Sequence, residues 1–150
     1  MAGTYSQILL HTVFSTKMRQ SLISSEIQPR LYEYMGGIVR AEKGVLYAIG
    51  GMPDHVHLLL RWRTDDAIAD LLRTVKSRSS LWVHQTFPQS ASFAWQEGYG
   101  VFSVSKSVES DVKAYIEHQA EHHRKRDFKS EFLALLRAHQ VEFDERYVFD

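Results

Sequence analysis

The chain has 150 residues, of which 18 are basic and 18 acidic, so its formal net charge is zero. This length predicts a single domain over residues 1–150 with one hydrophobic core, and the charge balance excludes a surface that is basic throughout, so any nucleic-acid site must be local. The absence of cysteine excludes a disulfide scaffold and a thiolate zinc site. Because no apolar run is long enough to span a bilayer, we expect a cytoplasmic protein without a membrane partner.

The first half of the chain predicts a strand, a helix and a β-hairpin. The strand covers residues 4–14, which are rich in β-branched and aromatic side chains. The helix begins at a serine cap within residues 24–25 and ends at Gly44. Residues 45–51 and 55–62 are short apolar runs joined by a tight connection, which is typical of two paired strands.

The second half predicts a helix, a strand and two further helices. An apolar stripe begins after Asp65 or Asp66, and the alternating stretch at residues 99–105 predicts a strand. Residues 108–126 and 128–140 have helical spacing. This order of elements favours an α+β sandwich, in which helices pack on an antiparallel sheet.

Two histidines, His55 and His57, stand one residue apart inside an apolar strand. Alternate side chains of a strand share a face, so both imidazoles point to the same side, next to Asp54. Neutral imidazole is a favoured metal ligand, although a single histidine in a strand is more often structural. The pair therefore predicts part of a metal site whose other ligands come from elsewhere in the chain.

A polar stripe on the helix at residues 108–126 offers such ligands. Tyr115, His118, Gln119 and His122 lie three, four and seven residues apart and so share a face. One interpretation is a solvated face with exposed histidines. The other makes Tyr115 a nucleophile, which must be activated because a phenol ordinarily has a pKa of about 10, and Gln119 an oxygen ligand of the ion.

Three motifs carry a resemblance that covers essentially the whole chain. They are MPDHVHLLL, WQEGYGVFSVS and YIEHQAEHH, with HTVFSTKMRQSLI near the start and FDERYVF at the end. Together and in this order, they resemble the single-tyrosine HUH transposases of bacterial insertion sequences, including the REP-associated tyrosine transposases. The resemblance implies a ferredoxin-like or RRM-like antiparallel sheet with helices on one face, and an intertwined homodimer.

The resemblance also implies a reaction. Tyr115 would attack a phosphodiester of single-stranded DNA, at element ends that form hairpins, and leave a 5′-phosphotyrosine and a free 3′-hydroxyl. A divalent ion held by His55, His57 and Gln119 would polarise the scissile phosphate. His118 stands where similar sequences often have asparagine, and with His122 it is a candidate additional ligand. Either Mg²⁺ or Mn²⁺ is the expected cofactor.

Local basic clusters are candidate contacts to DNA phosphates, although each cluster, judged singly, is more often a solvated surface. The residues favoured for this role are Lys17, Arg19, Arg61, Arg73, Lys76 and Arg78, and a further cluster spans residues 124–126. Two other functions stay open. One is a non-catalytic or domesticated RRM-like protein that binds hairpins. The other is a histidine-triad-like nucleotide hydrolase, although Leu59 stands where the third histidine of that motif would be.

Overall fold

The fold is built around one four-stranded antiparallel sheet, in a computed structural model that describes residues 3–123 and 126–149. The strands are β1 (Ile8–Ser15), β2 (Val45–Met52), β3 (His55–Trp62) and β4 (Gly100–Val104), in the spatial order β2-β3-β1-β4. The α-helices are α1 (Gln28–Ala41), α2 (Ile68–Thr86), α3 (Glu109–Glu117), α4 (Gln119–His122) and α5 (Phe128–Ala138). The α+β class and the ferredoxin-like antiparallel sheet are confirmed.

The histidine strand β3 lies inside the sheet, between β2 and β1. His57 pairs with Val13 of β1 on one side and with Gly50 of β2 on the other. Because β3 is flanked on both edges and covered on both faces, its side chains are buried from His55 to Leu60. The short apolar run seen in the sequence is typical of such an interior strand.

The two faces of the sheet have different neighbours. Val56, Leu58 and Leu60 of β3 belong to the larger core, which they form with apolar side chains of α1 and α2. The alternate residue Leu59 instead packs with Ile116 of α3. Since His55 and His57 alternate with the first set, they point with Leu59 towards the C-terminal helices.

The C-terminal helices therefore cover the second face, whereas the sequence led us to expect helices on one face. α3 lies against β2 at Gly50, where an added Cβ would come 2.1 Å from the carbonyl oxygen of Ile116. α5 packs Phe128 and Leu136 against Val13 and Phe102 in a separate small core. The missing side chain at Gly50 is what allows α3 to approach the sheet so closely.

Several boundaries differ from those expected. β1 begins at Ile8, and α1 begins at Gln28 after a turn in which the Ser24 hydroxyl accepts a hydrogen bond from the Ile27 amide at 3.3 Å. The single helix expected over residues 108–126 ends at Glu117, because the backbone of His118 leaves the helical region with φ −110° and ψ 34°. Within the described ranges, no helix is both long enough and apolar enough to cross a membrane.

Candidate active site and metal centre

The floor of the site is formed by the paired histidines, which are fully buried. Nδ1 of His55 donates a hydrogen bond to Oδ1 of Asp54 at 2.7 Å. Nδ1 of His57 lies 2.8 Å from Nε2 of His11, a buried residue of β1. Both Nδ1 atoms are thus engaged behind the site, and both Nε2 atoms point towards the C-terminal helices. His11 was not predicted from the sequence.

Tyr115 and Gln119 reach the histidines from the C-terminal helices. The ring of Tyr115 lies edge-on to that of His57, with centroids 5.8 Å apart. Oε1 of Gln119 is 3.1 Å from Nε2 of His55, and the amide nitrogen of Gln119 donates to the carbonyl oxygen of Tyr115 at 3.3 Å. Residues separated by about sixty positions in sequence therefore lie side by side in the fold.

Glu131 of α5 lies among the histidines and Tyr115, and these side chains together form one cluster. Glu131 was not predicted from the sequence as a site residue. Its Oε1 is 3.0 Å from Nε2 of His57 and 3.4 Å from Nε2 of His55. Its other oxygen, Oε2, accepts a hydrogen bond from the Tyr115 hydroxyl. One ligand atom from each of His55, His57 and Glu131 can be chosen so that all lie within 4.8 Å of one another, a spacing that suits a metal ion.

His123 is the third imidazole at this cluster. Its Nε2 lies 3.0 Å from Oε1 of Gln119 and 3.2 Å from Oε1 of Glu131. His118, named from the sequence as a candidate ligand, is exposed and donates to the Ala114 carbonyl at 2.7 Å. His122, the other candidate, is also exposed and lies against the Tyr115 ring, with centroids 4.5 Å apart. The break at His118 changes the phase of the helix, so His123 faces the site.

The local environment shifts the pKa values of the histidines in opposite directions. Burial would lower the pKa of His55, but hydrogen bonds to Asp54 and Glu131 outweigh burial and raise it to about 9. Burial lowers the pKa of His57, and burial together with the nearby His57 lowers that of His11 to about 3. His55 is therefore cationic, whereas His57 and His11 are neutral.

The two acidic groups are also perturbed. Burial would raise the pKa of Glu131, yet hydrogen bonds from His55 and His57 hold it well below its usual range. Burial and the hydrogen bond to Glu131 raise the pKa of Tyr115 above its ordinary value. Glu131 is therefore an anion, and Tyr115 keeps its proton.

The donor set fits a cation. Both ring nitrogens of His55 face oxygen acceptors, Asp54 on one side and Gln119 on the other. A neutral imidazole has only one N–H, so its second nitrogen would present a lone pair to an oxygen lone pair unless a proton or a metal ion lies between them. Imidazole nitrogens combined with amide and carboxylate oxygens suit a divalent ion such as Mn²⁺.

The residues predicted to bind DNA fall into separate grooves. Lys17 and Arg19 line one groove, and Arg73 and Lys76 line another, with the segment 94–97 common to both. Lys76 donates to the carbonyls of Glu97 and Gly98 at 3.0 and 2.7 Å, and burial lowers its pKa to about 8.

The remaining candidates lie elsewhere. Arg78 lines a third groove between α1 and α2, beside Tyr34 and Trp82. Arg61 is exposed on β3, six positions beyond His55. Arg124 and Lys125, part of the predicted basic cluster at 124–126, lie outside the described residues. Among the candidates that the structure describes, the basic residues therefore do not lie in one track.

Known proteins are similar to this chain. The family described as "Transposase IS200 like" matches residues 4–119. The ISDra2 transposase TnpA of Deinococcus radiodurans is 26% identical over 122 residues, which cover 78% of this chain and 87% of that protein. The crystal structure of a transposase from Deinococcus radiodurans R1 has a TM-score of 0.64 at 27% identity, over 79% of this chain and 95% of that one. A REP-associated tyrosine transposase bound to a REP hairpin shares the fold, with a TM-score of 0.55 at 15% identity, over 77% of this chain and 68% of that one.

Proposed function

The chain belongs to the IS200-like transposase family, and from this premise we propose that it cleaves and rejoins single-stranded DNA through a covalent phosphotyrosine on Tyr115. The observation that carries the proposal is the convergence of Tyr115 and Gln119 on the histidine pair. A tyrosine beside a site that fits a divalent cation is the arrangement that nucleophilic attack on a phosphodiester requires.

The proposed reaction is a transesterification. The phenolic oxygen of Tyr115 forms a bond to phosphorus, the bond from phosphorus to the 3′ oxygen breaks, and the phenolic proton ends on the released 3′-hydroxyl. One phosphoester bond replaces another, so the phosphotyrosine can be attacked by a second 3′-hydroxyl without ATP. The reverse step restores Tyr115.

The residues of the cluster have distinct roles in this proposal. His55, His57 and Gln119 would hold Mg²⁺ or Mn²⁺, which when bound supplies positive charge to the oxygens of the scissile phosphate. Asp54 and His11 hold the rings of His55 and His57 in place through their Nδ1 atoms. α3 positions Tyr115 beside the ring of His57, and its close contact at Gly50 keeps that position fixed.

The substrate that we propose is single-stranded DNA with hairpin-forming element ends. This follows from the family and from a neighbour of the same fold whose structure holds a REP hairpin. A homodimer stays a prediction of the resemblance. Since Tyr115 already reaches the histidines of its own chain, the residues of the site can assemble within one copy. Light scattering on the purified protein measures the number of copies directly.

The proposal is tested with single-stranded DNA that carries the flanking sequences of the protein's own gene. After incubation with Mn²⁺, denaturing electrophoresis should show a covalent protein–DNA band. We expect Tyr115→Phe, His55→Ala and His57→Ala to abolish this band. Tyr147→Phe is the matched control, because Tyr147 is 61% exposed and lies outside the cluster. An undiminished adduct in Tyr115→Phe would show that another group is the nucleophile.

A further inference from the structure

The carboxylate of Glu131 occupies the point on which the imidazoles converge. Its Oε1 lies within 3.0 to 3.4 Å of Nε2 of three histidines, His55, His57 and His123. The Glu131 side chain is only 2% exposed. Burying an unpaired carboxylate costs several kcal/mol, so a glutamate at such a position indicates that positive charge and N–H donors surround it, and here His55 supplies the positive charge.

The position of Glu131 is set by a regular helix. α5 begins at an Asp127 cap, whose Oδ1 accepts a hydrogen bond from the Ser130 amide at 2.9 Å. The same helix buries Phe128 and Leu136 against the sheet. Glu131 therefore comes from an anchored element. It also lies beyond residues 4–119, the part of the chain that matches the family.

We propose that Glu131 is a fourth protein ligand of the divalent ion, in addition to His55, His57 and Gln119. This inference rests on the proposed function only in that the ion is the one that the proposed cleavage uses. Carboxylate oxygens favour Mg²⁺ and Mn²⁺, whereas imidazoles alone favour ions such as Ni²⁺ and Zn²⁺. A carboxylate added to two imidazoles thus biases the site towards the harder ions.

The proposal has a second consequence for Tyr115. The carboxylate that would bind the ion is also the acceptor of the Tyr115 hydroxyl. Binding of the ion by Glu131 would draw electron density from this hydrogen bond and weaken the hold on the nucleophile. α5 would then contribute to the affinity for the ion, and it would also control the release of the Tyr115 hydroxyl from its hydrogen bond.

The test is a Mn²⁺ titration of the full chain without DNA, followed by electron paramagnetic resonance of the free ion. We expect Glu131→Gln to weaken Mn²⁺ binding by at least about tenfold, the scale on which even indirect partners of metal ligands act. Glu142→Gln is the matched control, because it removes the same charge from an exposed position of the C-terminal segment. Its Mn²⁺ affinity should equal that of the wild type.

A comparison between metals separates a ligand from a distant charge. Loss of a nearby negative charge weakens all divalent ions alike, whereas loss of a carboxylate ligand weakens Mn²⁺ more than Ni²⁺. We therefore expect the ratio of Mn²⁺ to Ni²⁺ affinity to fall in Glu131→Gln and to stay constant in Glu142→Gln. If Glu131→Gln fails to fold, Glu131→Asp keeps the charge but shortens the reach, and it should also weaken Mn²⁺ binding.

The outcomes distinguish this inference from the proposed function. If His57→Ala abolishes Mn²⁺ binding while Glu131→Gln binds as tightly as the wild type, or more tightly, then Glu131 is not a ligand and the histidine site stands. An equal loss of Mn²⁺ and Ni²⁺ affinity would also overturn the ligand role. If the wild-type protein binds no Mn²⁺ at all, the metal site of the proposed function fails as well.

Discussion

The hydroxyl of Tyr115 donates its hydrogen bond to the carboxylate of Glu131, a residue of another helix. Burial and this hydrogen bond raise the pKa of the phenol, while hydrogen bonds from His55 and His57 keep the pKa of the carboxyl far below its usual range. Proton transfer from a phenol with a raised pKa to a carboxylate with a lowered pKa is unfavourable. The contact therefore keeps the phenol protonated, and in the proposed cleavage Tyr115 would have to leave Glu131 before it attacked a phosphate.

The first prediction concerns the fit between α3 and the sheet. We expect Gly50→Ala to destabilise the protein by on the order of 2 kcal/mol, because the new Cβ would clash with the backbone oxygen of Ile116, 2.1 Å away. The same displacement would move Tyr115 and lower cleavage activity. Urea unfolding, together with the adduct assay, measures both effects.

Gly98→Ala is the control for this prediction, since a Cβ at Gly98 has no atom within 4 Å among those the structure describes. It should change stability by less than about 0.5 kcal/mol. A Gly50→Ala protein with wild-type stability and activity would show that α3 does not need the close approach.

A second prediction concerns His11, which we infer to be a positioning residue because it contacts His57 and not the cluster centre. We expect His11→Phe to weaken Mn²⁺ binding by about 10- to 100-fold, since partners of metal-ligating histidines fix the ring and its tautomer. His11→Gln can still hydrogen-bond and should restore part of the affinity.

His139→Phe is the matched control, because His139 is exposed and stacks on Phe102 at 4.5 Å instead of contacting His57. Calorimetric titration with Mn²⁺ gives the affinities. If His11→Phe binds Mn²⁺ as tightly as the His139→Phe control, the His57 ring does not depend on His11.

The histidine pair and the tyrosine helix could be predicted from the sequence, because each follows the periodicity of a single strand or helix. His55 and His57 share a face of any strand, and Tyr115 and Gln119 lie one turn apart on any helix. Glu131 had a weaker signal. It stands three residues after Phe128 on an otherwise apolar helical stripe, where an acid indicates a buried cationic partner.

His123 and His11 could not be predicted by periodicity. The helix expected over 108–126 is interrupted at His118, and this change of phase brings His123 towards the site while His122 stays exposed. His11 is a single histidine in a strand, and only its pairing with a neighbouring strand places it beside His57. Strand order is a property of the whole fold, so no local pattern reports it.

A third prediction is a maximum of stability near neutral pH in the metal-free protein. The pKa of His55 in the folded state is about 9, above its unfolded value of about 6.5. The contribution of His55 to the free energy of unfolding is therefore fully present below pH 6.5, and it is lost as the pH rises through 9. By linkage this contribution is at most about 3 kcal/mol.

His11 acts in the opposite direction, because its folded pKa is about 3. Its contribution is present above about pH 6.5 and is lost as the pH falls towards 3. Because burial lowers the pKa of Lys76 to about 8, titration of Lys76 would raise stability above that pH, and the measurement therefore ends there. Urea unfolding in EDTA from pH 4 to pH 8 should show stability rising and then falling. His55→Gln should abolish the decline above pH 6.5, and His118→Gln, at an exposed residue, should keep it. A continuous rise up to pH 8 would contradict the assignment.

The last prediction concerns which of the basic grooves binds DNA. Lys17 and Arg73 lie in the two grooves that share segment 94–97, whereas Arg78 lines the groove between α1 and α2 and lies 3.9 Å from Glu42. If DNA follows the shared segment, Lys17→Ala and Arg73→Ala will each weaken binding of a hairpin oligonucleotide. Each will also reduce the slope of log affinity against log salt by about 0.7–0.9, the loss of one phosphate contact. Arg78→Ala should change neither quantity. Fluorescence anisotropy at several KCl concentrations measures both, and a reduced slope only in Arg78→Ala would place the DNA on the α1–α2 face instead.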